Sequence, residues 1–270
     1  MFENAFQEKI GIIGMGFVGS AIHNALYDTF HTNDLIIIDS AKGYHSTYQD
    51  IKNTQAVFVC VPTPRSEDDR CDTSILENVL KQLKDINYQG VIISKCTAPP
   101  LVYERLNEGL PNLVHVPEFL TAADANRDLL NASFTIIGGN VSAYRREAER
   151  FVKFSQPALK DIRHTLIGEA ALAKYVINSY LATKVVFMNE VAKLAEAMGY
   201  KYDEVHRLII LDERIGLSHT RVPGTDGSYG FGGHCFPKDT AALLSMSKEL
   251  NATMLVLEAA IKKNTFLRLS

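Results

Sequence analysis

The first half of the chain alternates short apolar runs with stretches of helical spacing. KIGIIGMG reads as a strand running into a glycine turn, and the stretch from Phe17 to Tyr27 has apolar positions at helical intervals. DLIIIDS, AVFVCVPTP, GVIISKCT, NLVHVPEF and SFTIIGG read as further strands. Near-continuous β-branched runs separated by helices mark a parallel sheet covered on both faces. The pattern predicts a doubly wound α/β domain of Rossmann type over residues 1–165.

The texture changes near residue 161. From Leu166 to Met198 the chain has no proline, its only glycine lies near the start, and Gly199 supplies a C-terminal stop. A helix this long spans about 45 Å, more than a small domain needs, and both its sides carry apolar residues. It predicts a connecting helix that also packs on a second subunit, giving a homodimer. Helical patterns follow around 202–211 and 238–264, with the glycine-rich GTDGSYGFGGHC between them. Residues 166–270 thus read as a long central helix and a small all-helical dimerisation and catalytic domain.

Length and composition narrow the function. A chain of 270 residues, 46% hydrophobic and 22% charged, fits one or two ordinary globular domains. Twenty-eight basic against 31 acidic residues give a charge of −3, which argues against holding nucleic acid by bulk charge. No apolar run approaches the ~18–20 residues of a membrane helix. MFENAFQEKIGIIG has no basic leader region, so no signal peptide is predicted. Cys60, Cys71, Cys96 and Cys235 form no C-x-x-C pair, and a reducing, cytoplasmic setting is expected. No metal-ligand set stands out.

Gly14-Met15-Gly16-Phe17-Val18-Gly19 is a G-x-G-x-x-G that follows a strand and opens a helix. Asp39 ends the next strand, 20 residues after Gly19, the spacing of a carboxylate that takes the adenosine ribose. The glycines allow a tight turn against a pyrophosphate, and the helix N-terminus faces it with N–H groups. Asp39 would repel a 2′-phosphate, so NAD is expected over NADP.

Four further segments carry candidate chemistry. Lys174 and Asn178 stand four residues apart on the long helix and share a face. They can hold a substrate hydroxyl and steady a developing alkoxide; a solvated lysine beside a helix-bonded asparagine fits the spacing as well. Cys235 lies between paired glycines and Phe-Pro-Lys-Asp-Thr, with Pro237 suited to a first helical turn. A helix N-terminus and the adjacent Lys238 favour a reactive thiolate. Glu118, in VPEFL, follows a strand whose carboxyl end is where open α/β sheets bind ligands, and could serve as a general base. Arg214 can clamp a phosphate or sugar, or form a surface ion pair.

Together GMGFVG, CVPTP, CTAPP, PEFL, AALAKYVINSYLATKVVFMNEVAKLAE, ERIG and GFGGHCFPKDT resemble, in order, the UDP-glucose/GDP-mannose dehydrogenase family, and look closest to its UDP-glucose 6-dehydrogenases. The resemblance implies two successive NAD-linked oxidations of a C6 alcohol to a carboxylate, UDP-glucose to UDP-glucuronate, through a thiohemiacetal and thioester on Cys235. It implies that Lys174 and Asn178 stabilise the oxyanions, that Asp239 orients Lys174 or a water, that Glu118 is the acid/base of hydrolysis, and that Thr97 positions a water near the nicotinamide. It implies that Val61, Pro62, Thr63 and Pro64 flank the adenine side of the cofactor, with Thr97 and Lys238 also on it. Phe119, Leu120, Tyr229, Gly230, Phe231, Gly232 and Gly233 would line the sugar site, and Arg214 would reach substrate in the neighbouring subunit. GDP-mannose or another nucleotide sugar, a single-oxidation β-hydroxyacid dehydrogenase, and a non-catalytic NAD-binding dimer are the alternatives.

The chain departs from the family pattern twice. Thr121-Ala122-Ala123 replace an acidic residue and a glycine after PEFL. The chain also stops at Ser270, about where the family's C-terminal nucleotide-binding domain would begin, so that domain is expected to be lacking.

Overall fold

The structure, a computed structural model, describes residues 8–27, 29–30, 34–121 and 124–269. Ala122 and Ala123 of the divergent PEFL sequel, and the first residues of MFENAFQEKIGIIG, lie outside the described residues. The first elements are β1 (Ile10–Ile13), α1 (Phe17–Tyr27), β2 (Leu35–Asp39), β3 (Tyr44–His45), α2 (Tyr48–Ile51), β4 (Ala56–Val59), α3 (Ser74–Asp85), β5 (Val91–Ser94), α4 (Pro100–Gly109) and β6 (Leu113–His115). They are followed by α5 (Ala125–Leu130), β7 (Phe134–Gly138), α6 (Ser142–Ser155), β8 (Asp161–Thr165), α7 (Ile167–Ala197), α8 (Tyr202–Ile209), α9 (Cys235–Glu249) and α10 (Leu255–Leu269).

Contacts divide the chain into two compact units, residues 1–64 with 72–174, and residues 65–71 with 175–270. The first unit holds an eight-stranded sheet in the order β3-β2-β1-β4-β5-β6-β7-β8. Its central strands are buried on both faces, which is why they read as unbroken apolar runs. Along each strand the side chains alternate between two cores. Ile10, Ile12, Phe58 and Ile93 join Ile22 and Leu26 of α1, Leu129 of α5 and Phe151 of α6. Ile13, Val57, Val59 and Ile92 join Leu76 and Leu80 of α3, Tyr103 of α4, and Ile167 and Ala171 of α7.

The sheet is mostly parallel, and three features correct the sequence reading. Strand β3 pairs antiparallel with β2. Strand β7 meets β6 antiparallel through His115 and Gly138. The connection after β6 stays at that strand's carboxyl end instead of crossing back, so Phe119 packs on Phe134 at 5.2 Å between ring centroids. Strand β8 was not expected, because DIRHT is polar and has no fully buried residue; it pairs in parallel with β7 through the full register Phe134–Asp161 to Gly138–Thr165.

Among the described residues, the regular structure of the second unit is helical apart from an antiparallel bridge between Arg65 and Cys71, with a long loop between α8 and α9. Its cores gather Tyr175, Ala242, Leu243 and Leu257 in one cluster, and Ala182, Val186, Phe231, Ala260 and Leu267 in another. The long helix forms over 31 residues. The single helical pattern expected over 238–264 is two helices. Asn251 turns the chain with a φ of 55°, which asparagine tolerates better than most residues, and α9 ends at Glu249. Nothing in that stretch marks the break, since it contains neither glycine nor proline. Among the described residues no helix is long and apolar enough to cross a membrane.

Candidate active site

In the first unit the glycine turn sits at the carboxyl edge of the sheet. Gly14 has a φ of 92°, and a Cβ there would lie 2.8 Å from the Cys60 carbonyl oxygen. A Cβ on Gly19 would come within 1.9 Å of the Gly14 carbonyl oxygen. Both positions therefore require glycine for the turn to close. Gly16 differs: a Cβ there meets nothing within 4 Å, so the turn keeps open space in front of the α1 N-terminus. Met15 is buried and Phe17 exposed on either side of it. The Met15 backbone N–H donates to Asp39 Oδ2 at 2.7 Å, and the Lys42 N–H to Oδ1 at 3.2 Å, which fixes the carboxylate beside the turn.

These residues fit NAD: a cradle that only a side chain or a ligand would fill, a helix N-terminus, and an acid where a 2′-phosphate would be repelled. Gly16→Ala is expected to leave the thermal midpoint unchanged, because the methyl enters empty space, yet to weaken NAD binding at least about tenfold by blocking close approach of the pyrophosphate. Titration calorimetry measures it. Unchanged affinity would remove the turn from the cofactor site.

The loops after β4, β5 and β6 bring the next candidates to the same edge. The Thr63 hydroxyl donates to the Thr97 carbonyl at 2.6 Å, tying the Val61–Pro64 loop to the segment after β5. Glu118 is buried, and its Oε2 accepts the Leu120 N–H at 2.7 Å. The buried Lys174 ammonium donates to the Glu118 carbonyl oxygen and stands 3.4 Å from its Oε1. It also lies 5.1 Å above the Phe119 ring. The acid beside Lys174 in this unit is Glu118. A buried pair held by these further hydrogen bonds is rigid, and losing either member strands a charge.

In the second unit Cys235 is the first residue of α9, half-buried, with Pro237 in the first turn. The positive end of the helix lies where a thiolate would carry its charge. Asp239 follows in the next turn, 1% exposed. Its Oδ2 accepts from the Asn178 amide and its Oδ1 from the Lys238 ammonium, both at 2.6 Å. Lys174 and Asn178, one turn apart on α7, are therefore each locked by a different carboxylate.

The loop before α9 is held from α7 and α10. Asn189 accepts the Gly230 N–H at 3.1 Å. Asn264 accepts the Phe231 N–H at 2.7 Å and returns a bond to the Phe231 carbonyl at 3.0 Å. Arg268 donates to that carbonyl at 3.1 Å and pairs with Asp226 at 2.7 Å. Gly230 and Gly233 take φ values of 72° and 73°, and Gly232 lies directly under the Arg268 guanidinium, which would have to move for any side chain there. Tyr229 flanks the loop with the Lys193 ammonium 5.2 Å above its ring. Asn189, Asn264 and Arg268 were not anticipated, since single polar residues within a helix carry no sequence signal for such bonds.

Arg214 sits on a turn whose carbonyls, at Ile215 and Ser218, are held by Lys184. Its side chain is 89% exposed and held by Asp212 at 2.6 Å. Two buried groups were also missed. Burial takes the His115 imidazole down to about 3, so it is neutral at ordinary pH, stacked 4.3 Å from Tyr103. Lys95 is 5% exposed, and burial brings its ammonium down to about 8, with Lys174 adding repulsion and Cys60 and Glu118 opposing the shift.

Comparison with known proteins bears on the family and the fold. The chain is 34% identical over 227 residues to a UDP-glucose 6-dehydrogenase of Rickettsia bellii, covering 80% of this chain and 50% of that protein. It is 30% identical over 272 residues to a UDP-glucose 6-dehydrogenase of Campylobacter jejuni, covering 88% of this chain and 67% of that one. The chain thus spans about half the length of the Rickettsia relative. A UDP-glucose dehydrogenase structure from Pyrobaculum islandicum superposes with a TM-score of 0.80 over 98% of this chain and 70% of its own, at 22% identity, which speaks for the fold. Residues 40–154 match the NAD binding domain of the UDP-glucose/GDP-mannose dehydrogenase family and residues 168–265 match its central domain. With the glycine turn ahead of the first match and Cys235 inside the second, the chain belongs to the UDP-glucose/GDP-mannose dehydrogenase family.

Proposed function

We propose that the chain is an NAD-dependent nucleotide-sugar 6-dehydrogenase that oxidises UDP-glucose to UDP-glucuronate at a cysteine. The observation that carries this reading is Cys235 at the N-terminus of α9, one turn before a buried Asp239 that fixes Asn178. A single alcohol oxidation needs no thiol, whereas a second oxidation needs a way to hold the aldehyde.

NAD, when bound, supplies the hydride acceptor for each oxidation. Lys174 and Asn178 donate hydrogen bonds to the C6 oxygen as its proton leaves and charge builds. The Cys235 thiolate adds to the aldehyde carbon, a C–S bond forms, and the oxygen takes up a proton to give a thiohemiacetal. Loss of that proton and of the carbon-bound hydride leaves a thioester. Glu118 takes a proton from water as it attacks; the C–S bond breaks, and the thiolate returns with a carboxylate as product. One alcohol and one water thus yield one carboxylate, two reduced cofactors and three protons.

Asp239, with its two donors, is suited to keep the Asn178 amide turned the same way throughout. Phe231 to Gly233 take the sugar in this reading, and Arg214 serves a neighbouring subunit. The homodimer has its own support. Leu172, Val176, Tyr180, Phe187 and Leu194 are 45–68% exposed on α7 and fall on one side of it at helical spacing, an apolar stripe fit for a second copy.

The experiment is a count of NADH formed per sugar consumed with UDP-glucose, GDP-mannose and UDP-N-acetylmannosamine. Two per UDP-glucose is the expected result. One per sugar would mean a single oxidation without the thioester, and none with any sugar, alongside NAD binding, would reduce the chain to a cofactor-binding module.

A further inference from the structure

The carboxyl edge of the sheet carries a row of residues in register. Ile13 pairs with Ile38 on one side and Val59 on the other, Val59 with Ser94, and Ser94 with His115. The next rung is therefore Asp39, Gly14, Cys60, Lys95 and Val116, and its backbone bonds are made: Gly14 N–H to Ile38, Cys60 N–H to Ile13, Lys95 N–H to Val59 and Val116 N–H to Ser94. Side chains on one rung share a face. Val116 and Cys60 pack with the core that contains α1, so Lys95 lies on the face of the glycine turn and the α1 N-terminus.

A lysine there is out of keeping with its surroundings. It is 5% exposed, and its ammonium makes no hydrogen bond or ion pair with any described residue. An ammonium at the edge of burial with no protein acceptor keeps its donors open to water or to a ligand's oxygen. Glu118, the nearest acid in its field, is already engaged by the Leu120 N–H and Lys174.

The order of the strands says which part of a ligand. Asp39, at the end of β2, marks the adenosine ribose, and the glycine turn, at the end of β1, marks the pyrophosphate. An extended dinucleotide continuing along the edge next passes β4 and then β5. Lys95 lies two strand spacings, about 10 Å, beyond the glycine turn, on the side away from Asp39. We propose that Lys95 binds the nicotinamide-riboside half of the cofactor, donating its ammonium to an oxygen there, either a ribose hydroxyl or the carboxamide carbonyl. This rests on the NAD assignment of the glycine turn, and gives the nicotinamide half a protein anchor of its own.

The test is calorimetric binding of ADP, ADP-ribose and NAD to the wild-type chain and to Lys95→Met and Lys95→Gln. The wild type is expected to bind all three, and failure to bind even ADP would overturn the cofactor assignment itself. Lys95→Met is expected to lose NAD affinity by tenfold or more and ADP affinity by less than twofold, with Lys95→Gln between. A loss shared by ADP-ribose assigns the ribose hydroxyl, and a loss confined to NAD assigns the carboxamide. NAD affinity unchanged in both variants, or an equal loss for ADP and NAD, would overturn the proposal while leaving the cofactor site standing.

Discussion

Cys235→Ser is expected to cut uronate formation by at least about a thousandfold, the scale on which removing an attacking nucleophile acts, while NAD binding is unchanged. The reasoning is local. Serine keeps the size and the place at the start of α9, so the helix and the Asp239–Asn178–Lys238 network should persist. What changes is the attacking atom. A hydroxyl stays protonated near neutral pH, and the positive end of the helix cannot make up a deficit of several units against a thiol. If an ester does form, an alkoxide leaves far less readily than a thiolate. Product carboxylate measured by mass spectrometry, beside NAD binding on the same preparation, checks this. Uronate made at the wild-type rate would take Cys235 out of the path, and lost NAD binding would mean the substitution acted on the fold.

Lys95→Met is expected to make the protein more stable at neutral pH, by up to about 3 kcal/mol. Burial brings the Lys95 ammonium from its usual 10.5 down to about 8. Below about pH 8 the folded chain carries a charge that the unfolded chain would hydrate freely, so folding bears the full penalty. From about 8 to 10.5 the folded chain has released the proton and the unfolded chain still holds it, so stability rises with pH across that window and then levels. The charged or titratable groups facing Lys95 are Cys60, Glu118, Lys174 and the His115 imidazole, which burial keeps neutral. Comparing wild type with Lys95→Met cancels their own titration to first order. Denaturant unfolding at pH 7 and pH 10.5 reads the effect: a clear gap at the first and convergence at the second. Equal stability at pH 7 would show that the ammonium is compensated in the folded chain. A residue that weakens the fold and strengthens cofactor binding fits a site that gives up stability for function.

The sequence made some of these features legible and hid others, for physical reasons. The central strands announced themselves because burial on both faces demands unbroken runs such as VIIS and AVFV. Strand β8 did not, because an exposed strand at the sheet edge needs no apolar pattern. The break between α9 and α10 was silent because asparagine can turn a chain without the glycine or proline that usually signals it. Among the candidate site residues, Gly14 to Gly19, Asp39, Cys235 and the Lys174–Asn178 spacing stand out in the sequence, since each rests on a local pattern. Their partners could not: that Lys174 goes to Glu118 and Asn178 to Asp239 depends on contacts between segments 56 and 61 residues apart. Lys95 left one trace, a lysine closing the apolar run GVIIS, but sequence alone does not tell a snorkelling lysine from a buried one.

The clamp on the glycine loop has a consequence for the order in which the protein is made. Phe231 precedes Asn264 by 33 residues and Arg268 by 37, and both its backbone groups are held by them. A chain emerging from the ribosome therefore presents Cys235 before the groups that shape its neighbouring loop exist. Until α10 has been synthesised and docked, Phe231 lacks the partners of its backbone groups, and the loop next to the thiol is not yet held in shape.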